Sequence, residues 1–121
     1  MKALICGDRN WKDREIIRSW LSKLQDWGYT EVIEGEARGA DTIAREEADR
    51  MGFTVDPYPA NWGKYHRAAG PIRNREMLDQ CPDLVLAFHS DISKSKGTAD
   101  CIKEARKRGI EVKVITSGCK S

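Results

Sequence analysis

The sequence has few residues of the kinds that hold metal ions or cross-link chains. Its 121 residues include four cysteines and two histidines. The cysteines are Cys6, Cys81, Cys101 and Cys119. None of them forms a C-x-x-C pair, and His66 and His89 are too few to complete a zinc site with them. We therefore predict no metal and no cofactor, and we expect Cys6, in an apolar run, and Cys101, in a helix, to be reduced, buried thiols.

Long apolar runs and an excess of one charge are also missing. No apolar run approaches the roughly 20 residues of a membrane-spanning helix, and the apolar residues 1–6 lead directly into a charged loop rather than a signal sequence. We therefore expect a cytoplasmic protein with no membrane partner. The net charge is +2 and no basic run reaches five residues, which argues against nucleic acid as a partner.

The residues that are present alternate between strand-like and helix-like segments. The predicted strands are residues 2–6, 31–34, 53–57, 83–88 and 111–115. The predicted helices are residues 14–27, 41–51, 71–80 and 98–108, with a long loop at 60–70. The alternation predicts one domain over residues 1–121, a Rossmann-like three-layer α/β fold with a mostly parallel five-stranded sheet and helices on both faces. The most apolar segment, 83–88, is expected at the centre of the sheet.

Ligands of such folds bind beyond the carboxyl ends of the strands, which directs attention to the loops after the predicted strands. In the first loop, Gly7 permits a tight turn. There Arg9 can pair with a phosphate and Trp11 can stack on a base, and Asp8 lies between Gly7 and Arg9. The alternative is a simple turn with a capping Asp and a packed Trp.

The second loop is rich in small residues, with Gly35, Ala37 and Gly39 among them. The next predicted helix begins within this loop, so its free N–H groups are expected to point at an anion. Arg38 adds a forked cation to that site. Asp41 either caps the helix or accepts hydrogen bonds from ligand hydroxyls.

The loop before the last predicted helix contains Ser95, Gly97 and Thr98. Backbone amides and the two hydroxyls of this loop can donate to phosphate oxygens. The Gly-Lys-Ser/Thr order of a P-loop is absent, so the segment alone indicates only a helix N-terminus.

A further candidate segment lies on the predicted helix that starts at residue 71. Arg73 and Met77 share a helix face, and Arg73 with Asn74 can point into the site; the alternative is an ordinary surface helix. In the long loop before it, Trp62 can form a lid or an interface. The chain has four tryptophans, more than a small core easily hides, so we also predict a homo-oligomer.

These stretches together resemble the SLOG superfamily of Rossmann-like nucleotide-binding domains, and most closely its YspA-type, cpYpsA-related branch. The resemblance rests on residues 7–11 (GDRNW), Gly35 with 37–41 (ARGAD), 59–62 (PANW), 69–74 (AGPIRN) with Met77, 86–88 (LAF) and 97–100 (GTAD). It implies a pocket for a nucleotide-type small molecule.

A more distant resemblance concerns activity. The Lonely Guy phosphoribohydrolases cleave the base from a nucleoside monophosphate, and their Arg four residues before a Met is matched by Arg73 and Met77. Their Glu, three residues after a Gly-Thr, is replaced here by Cys101. A thiol is a poor substitute for the carboxylate that glycosidic cleavage needs, so Asp100, Asp41 or Asp8 would have to serve.

Three functions follow, in order of preference. The first is a module that binds a nucleotide, of the NAD, ADP-ribose or nucleoside monophosphate type, as a sensor or to sequester it. The second is a nucleotide or nucleoside N-glycoside hydrolase with Arg73 and one of Asp100 or Asp41 as its catalytic groups. The third, a nucleic-acid binder, is opposed by the low net charge of +2.

Overall fold

The computed structural model describes residues 1–89 and 96–116 of the protein. Strands and helices alternate through both ranges, as predicted. The elements in chain order are β1 (Lys2–Gly7), α1 (Arg14–Asp26), β2 (Glu31–Glu34), α2 (Ala40–Arg50), β3 (Thr54–Pro57), α3 (Trp62–Tyr65), a 3-10 helix (His66–Ala68), α4 (Ala69–Leu78), β4 (Leu84–Phe88), α5 (Lys96–Lys107) and β5 (Val112–Ile115).

The sheet has five strands in the order β3-β2-β1-β4-β5, and every pair of neighbours is parallel. This confirms the predicted fold class. The expectation that the segment 83–88 is central was wrong: β1 is the middle strand and β4 lies beside it. A continuous apolar run indicates that both faces of a strand are covered by other elements. Every interior strand of such a sheet is covered in this way, so the run does not identify the middle strand.

Helices cover both faces of the sheet, because successive residues of β1 point to opposite sides. Ala3 and Ile5 belong to one hydrophobic cluster, with α1 and α2, whereas Leu4 and Cys6 belong to another, with α4 and α5. The sheet order reverses direction between β1 and β4. In open α/β sheets, the carboxyl end of this reversal is where a crevice for ligands forms.

Residues 60–70 are not the long loop that the sequence predicted. They contain α3, the 3-10 helix and the start of α4. Asn61 caps α3 by accepting a hydrogen bond from the Lys64 amide (3.1 Å). The 61–68 segment is exposed throughout, so it shows no apolar periodicity, and the capping Asn61 was the available signal.

A buried carboxylate joins the two helices on the first face of the sheet. Glu47 of α2 forms ion pairs with Arg14 (2.7 Å) and Arg18 (3.0 Å) of α1 and with Arg50 (3.2 Å). Hydrogen bonds from Arg18 and Arg14 lower the pKa of Glu47 to about 2. These contacts hold α2 in place, and the N-terminus of α2 borders the site described below.

The cysteines and tryptophans have the following positions. Cys6 and Cys101 are free and buried, as predicted. Trp11 is only 4% exposed, whereas Trp27 and Trp62 are 50% and 49% exposed. Within residues 1–89 and 96–116, no helix is long and apolar enough to cross a membrane.

Candidate functional site

Two neighbouring cavities, each of about 350 Å³, open at the carboxyl ends of the strands. The first is lined by Cys6, Gly7, Asp8, Arg9, Asn10, Ala37, Asp41, Arg73, Asn74, Met77, His89, Lys96, Gly97 and Thr98. The second is lined by Arg9, Gly35, Glu36, Ala37, Arg38, Pro59, Ala60, Trp62 and Arg73. Most of the predicted site residues are therefore brought together at the reversal point of the sheet.

The loop after β1 is held in place by the main chain of Asp8. Its amide donates to the carbonyl of Phe88 at the end of β4 (2.9 Å), and its carbonyl accepts from Trp11 and from Ala40 at the start of α2 (3.1 Å each). The loop thus joins three elements around the first cavity. The carboxylate of Asp8 accepts from the Asn10 amide (2.8 Å) through Oδ1.

Trp11 does not take part in the site, in contrast to its predicted stacking role. Its ring packs edge-on against Phe88, with 5.7 Å between ring centroids, and its indole N–H donates to the carbonyl of Asp13 (2.9 Å). It lines neither cavity. The packed Trp that the sequence left as the alternative is the one observed.

Three amides of the loop after β2 are bonded within the protein and are not open to a ligand. Oδ2 of Asp41 accepts from the amides of Gly35 (3.0 Å) and Ala37 (3.3 Å), and Oε1 of Glu34 accepts from Glu36 (2.6 Å). These three N–H groups point at buried carboxylates and are not available to an anion, and the first amide of α2, that of Ala40, donates to the carbonyl of Asp8. Asp41 lies in the first turn of α2 and organises the loop, although it also borders the first cavity.

Burial strongly affects these two carboxyl groups. It raises the pKa of Glu34 to about 7 and that of Asp41 to about 6. Hydrogen bonds from Ala37 and Gly35 and the charge of Arg73 oppose the shift at Asp41. Oε2 of Glu34 is buried and has no hydrogen-bond partner among residues 1–89 and 96–116, so removal from water dominates.

Arg73 forms the boundary between the cavities. Its Nη1 donates to the carbonyl of Gly35 (2.6 Å) and its Nε donates to Oδ1 of Asn74 (3.1 Å). A Cβ on Gly35 would overlap the guanidinium, so only glycine allows Arg73 to lie against this loop. Both acceptors are neutral, and the positive charge of Arg73 is therefore not neutralised by its hydrogen bonds.

Asn74 connects α4 to the start of α5. Its Nδ2 donates to the carbonyl of Gly97 and to Oδ2 of Asp100, both at 3.1 Å. Asp100 also lies 3.9 Å from Arg75 and lines neither cavity. Its position is that of an anchor for Asn74 rather than of a catalytic carboxylate. Ser95, predicted to bind phosphate, lies outside the described residues.

Four cations surround the two cavities: Arg9, Arg38, Arg73 and Lys96. Within residues 1–89 and 96–116, none of them forms a salt bridge. By contrast, arginines away from the cavities, such as Arg14 and Arg108, are paired with carboxylates. Four cations without a salt-bridge partner among the described residues therefore lie where a ligand would bind, together with three carboxylates that line the same cavities, those of Asp8, Glu36 and Asp41.

The sequence interpretation missed two residues of the first cavity that bear on its chemistry, Lys96 and His89. His89 follows β4 and is buried, and its Nε2 lies 4.0 Å from Oδ2 of Asp8. The pairing of Gly7 with Phe88 explains this proximity, because each residue that follows lies at the same edge. The neighbouring Cys101 and burial raise the pKa of the Cys6 thiol, so that thiol remains protonated. Among the described residues, no three His, Cys, Asp or Glu form a group that could hold a metal ion.

Two comparisons with known proteins found sequences similar to this chain. The model of the YspA, cpYpsA-related SLOG family matches residues 1–65 of the chain. The chain is also similar to the Gene 61 protein of Mycobacterium phage D29, with 41% identity over 119 residues that cover 92% of this chain and 93% of the phage protein.

Proposed function

Because the chain belongs to the YspA, cpYpsA-related SLOG family, we propose that it binds a nucleotide or nucleotide-derived ligand, of the NAD, ADP-ribose or nucleoside monophosphate type, at the carboxyl ends of its strands. Family membership indicates a nucleotide-related ligand in general. In this proposal the protein either senses the nucleotide or sequesters it. Oligomerisation of the chain stays a prediction.

The observation that carries the proposal is the set of cavity-lining cations that have no carboxylate partner within the described ranges. Within the part of the chain that the structure describes, the Arg73 guanidinium donates to two neutral oxygens, so it retains its charge and further N–H groups to bind a phosphate. Lys96 and Thr98 are in the first turn of α5 and line the same cavity. A phosphate there is attracted by both the side chains and the helix terminus.

The first test is a binding measurement with Arg73→Gln. We expect the nucleotide bound most tightly among nucleoside monophosphates, NAD and ADP-ribose to lose about 30-fold in affinity, because a charge-assisted hydrogen bond contributes about 2 kcal/mol. Isothermal titration calorimetry measures this, after native mass spectrometry has identified the ligand.

Two further variants separate loss of binding from loss of structure. Arg106→Gln changes an exposed arginine of α5 that borders neither cavity and is expected to bind as the wild type does. Lys96→Gln removes an exposed cation of the first cavity and is expected to weaken binding about threefold. Equal affinities for all four proteins, or no binding by the wild type, would contradict the proposal.

A second candidate function, N-glycoside hydrolysis, is favoured by the position of Asp8. Its carboxylate borders the first cavity with His89 beside it, whereas Asp100 does not face a cavity. In such a reaction the carboxylate accepts a proton from water as the water oxygen bonds to C1′ of the ribose. The electron pair of the C1′–N bond goes to the leaving base, which takes up a proton from solvent.

The corresponding prediction concerns Asp8→Asn. If the wild type releases free base from a nucleotide, we expect this variant to release it at least about 100-fold more slowly, since general-base catalysis contributes about that much. It should bind the nucleotide no more weakly, because a negative charge next to the phosphate has been removed. Chromatography of the reaction products measures the rate, and unchanged turnover in Asp8→Asn would transfer the role to Asp41.

A further inference from the structure

The two cavities share one wall but differ in chemistry. Arg9, Ala37 and Arg73 border both. The first cavity adds mainly polar groups and the start of α5, whereas the second adds an indole, Trp62, together with Pro59. A polar compartment beside one with an aromatic ring is the arrangement that a phosphate linked to a base requires.

Trp62 is exposed although the structure holds it in a defined position. It is the first residue of α3, directly after the capping Asn61. Its ring lies against Gly70 of α4: a Cβ on Gly70 would be 3.5 Å from Cη2 of the indole and 3.9 Å from Nη2 of Arg73. The indole and the guanidinium therefore both lie near Gly70 and line the second cavity, and 49% of Trp62 remains open to solvent.

Resting on the proposed function, we propose that the second cavity is the base-binding subsite of a nucleotide whose phosphate lies in the first cavity, with the base stacked on Trp62. Arg73 lies where the phosphate and the base-bearing ribose meet. Stacking on an indole is tolerant of base identity, because every base has a π face. Each cavity, at about 350 Å³, is at the lower end of the range for small-molecule sites, and a nucleotide that spans both uses each for one of its parts.

The test compares ligands with and without a base. AMP, CMP and ribose 5-phosphate are titrated into the wild type, Trp62→Ala and Trp62→Tyr. We expect Trp62→Ala to weaken AMP and CMP by about tenfold and to leave ribose 5-phosphate within about twofold of the wild type. Trp62→Tyr should retain most of the affinity, because it keeps an aromatic face.

A matched control is available in Trp27, which is 50% exposed but belongs to the C-terminus of α1 and lines neither cavity. Trp27→Ala is expected to bind all three ligands as the wild type does. If Trp62→Ala weakens ribose 5-phosphate as much as AMP, or changes neither, the subsite is overturned.

The proposed function and the subsite fail in different ways. If Arg73→Gln weakens AMP binding and Trp62→Ala does not, the nucleotide site stands and the subsite is overturned. If Trp62→Ala changes only the molecular mass measured by light scattering, Trp62 is an interface residue and the subsite is again overturned. If the wild type binds neither AMP nor CMP, the subsite is overturned directly.

Discussion

Gly39→Ala is expected to lower the free energy of unfolding by about 4 kcal/mol. Gly39 has φ +74° and ψ −121°, a conformation that is essentially restricted to glycine. An added Cβ would also overlap the backbone carbonyls of Asp8 and Arg9. Relief of that overlap requires the two loops to separate, which breaks the hydrogen bond from the Ala40 amide to Asp8 (3.1 Å).

The matched control is Gly52→Ala. Gly52 also has a positive φ, +88°, but a Cβ there would meet nothing within 4 Å, so we expect a loss of about 1 kcal/mol from backbone strain alone. Urea denaturation measures both variants. A similar small loss in the two would mean that the loops after β1 and β2 do not touch at Gly39.

Glu34→Gln is expected to remove a large part of the pH dependence of stability. Burial raises the pKa of Glu34 from 4.5 to about 7, and a shift of this size corresponds to about 3 kcal/mol. In the unfolded chain the group ionises at its ordinary pKa, while the folded protein keeps its proton to higher pH. The protonated Glu34 side chain therefore stabilises the folded protein fully below about pH 4.5. This stabilisation is lost as the pH rises through 7.

Between pH 5 and pH 8 we thus expect the wild type to lose about 2 to 3 kcal/mol more stability than Glu34→Gln. Asp41, with its pKa raised to about 6, contributes in the same direction in both proteins. Glu47 has a pKa lowered to about 2, so its contribution is present throughout this window.

Glu76→Gln provides the control for charge removal, because Glu76 is exposed on α4. It should lose stability between pH 5 and pH 8 as the wild type does. Urea denaturation at both pH values measures the difference, and equal pH dependence in wild type and Glu34→Gln would show that Glu34 is solvated in the folded protein.

The fold was accessible from the sequence because its signals are local. Alternating apolar segments with Gly28, Gly52 and Gly109 after the helices were sufficient for the order of strands and helices. Which strand is central depends on how β1 and β4 pair across the chain, and apolar content does not report pairing. The exposed helix α3 was missed because solvent-facing residues leave no periodic pattern.

The sequence predicted which residues lie near the cavities better than it predicted where their side chains and amides point. Arg73, Asn74 and Arg38 were found through their residue types and loop positions, and they do border the cavities. For Asp41 the sequence left open a helix cap or a ligand contact, and its carboxylate binds the amides of its own loop. Whether an amide points at a ligand or at a buried carboxylate is decided by tertiary packing, which short sequence patterns do not encode.

The central position of β1 has a consequence for synthesis. Lys2 is hydrogen-bonded to Asp83, 81 positions away. One edge of β1 therefore remains unpaired until β4 has been synthesised, roughly 4 to 16 seconds later at ordinary translation rates. An unpaired edge invites association with other chains during that interval. Since the first cavity lies above the junction of β1 and β4, it is completed only when this edge closes. A ligand of this cavity would therefore stabilise the protein only after β4 has joined the sheet.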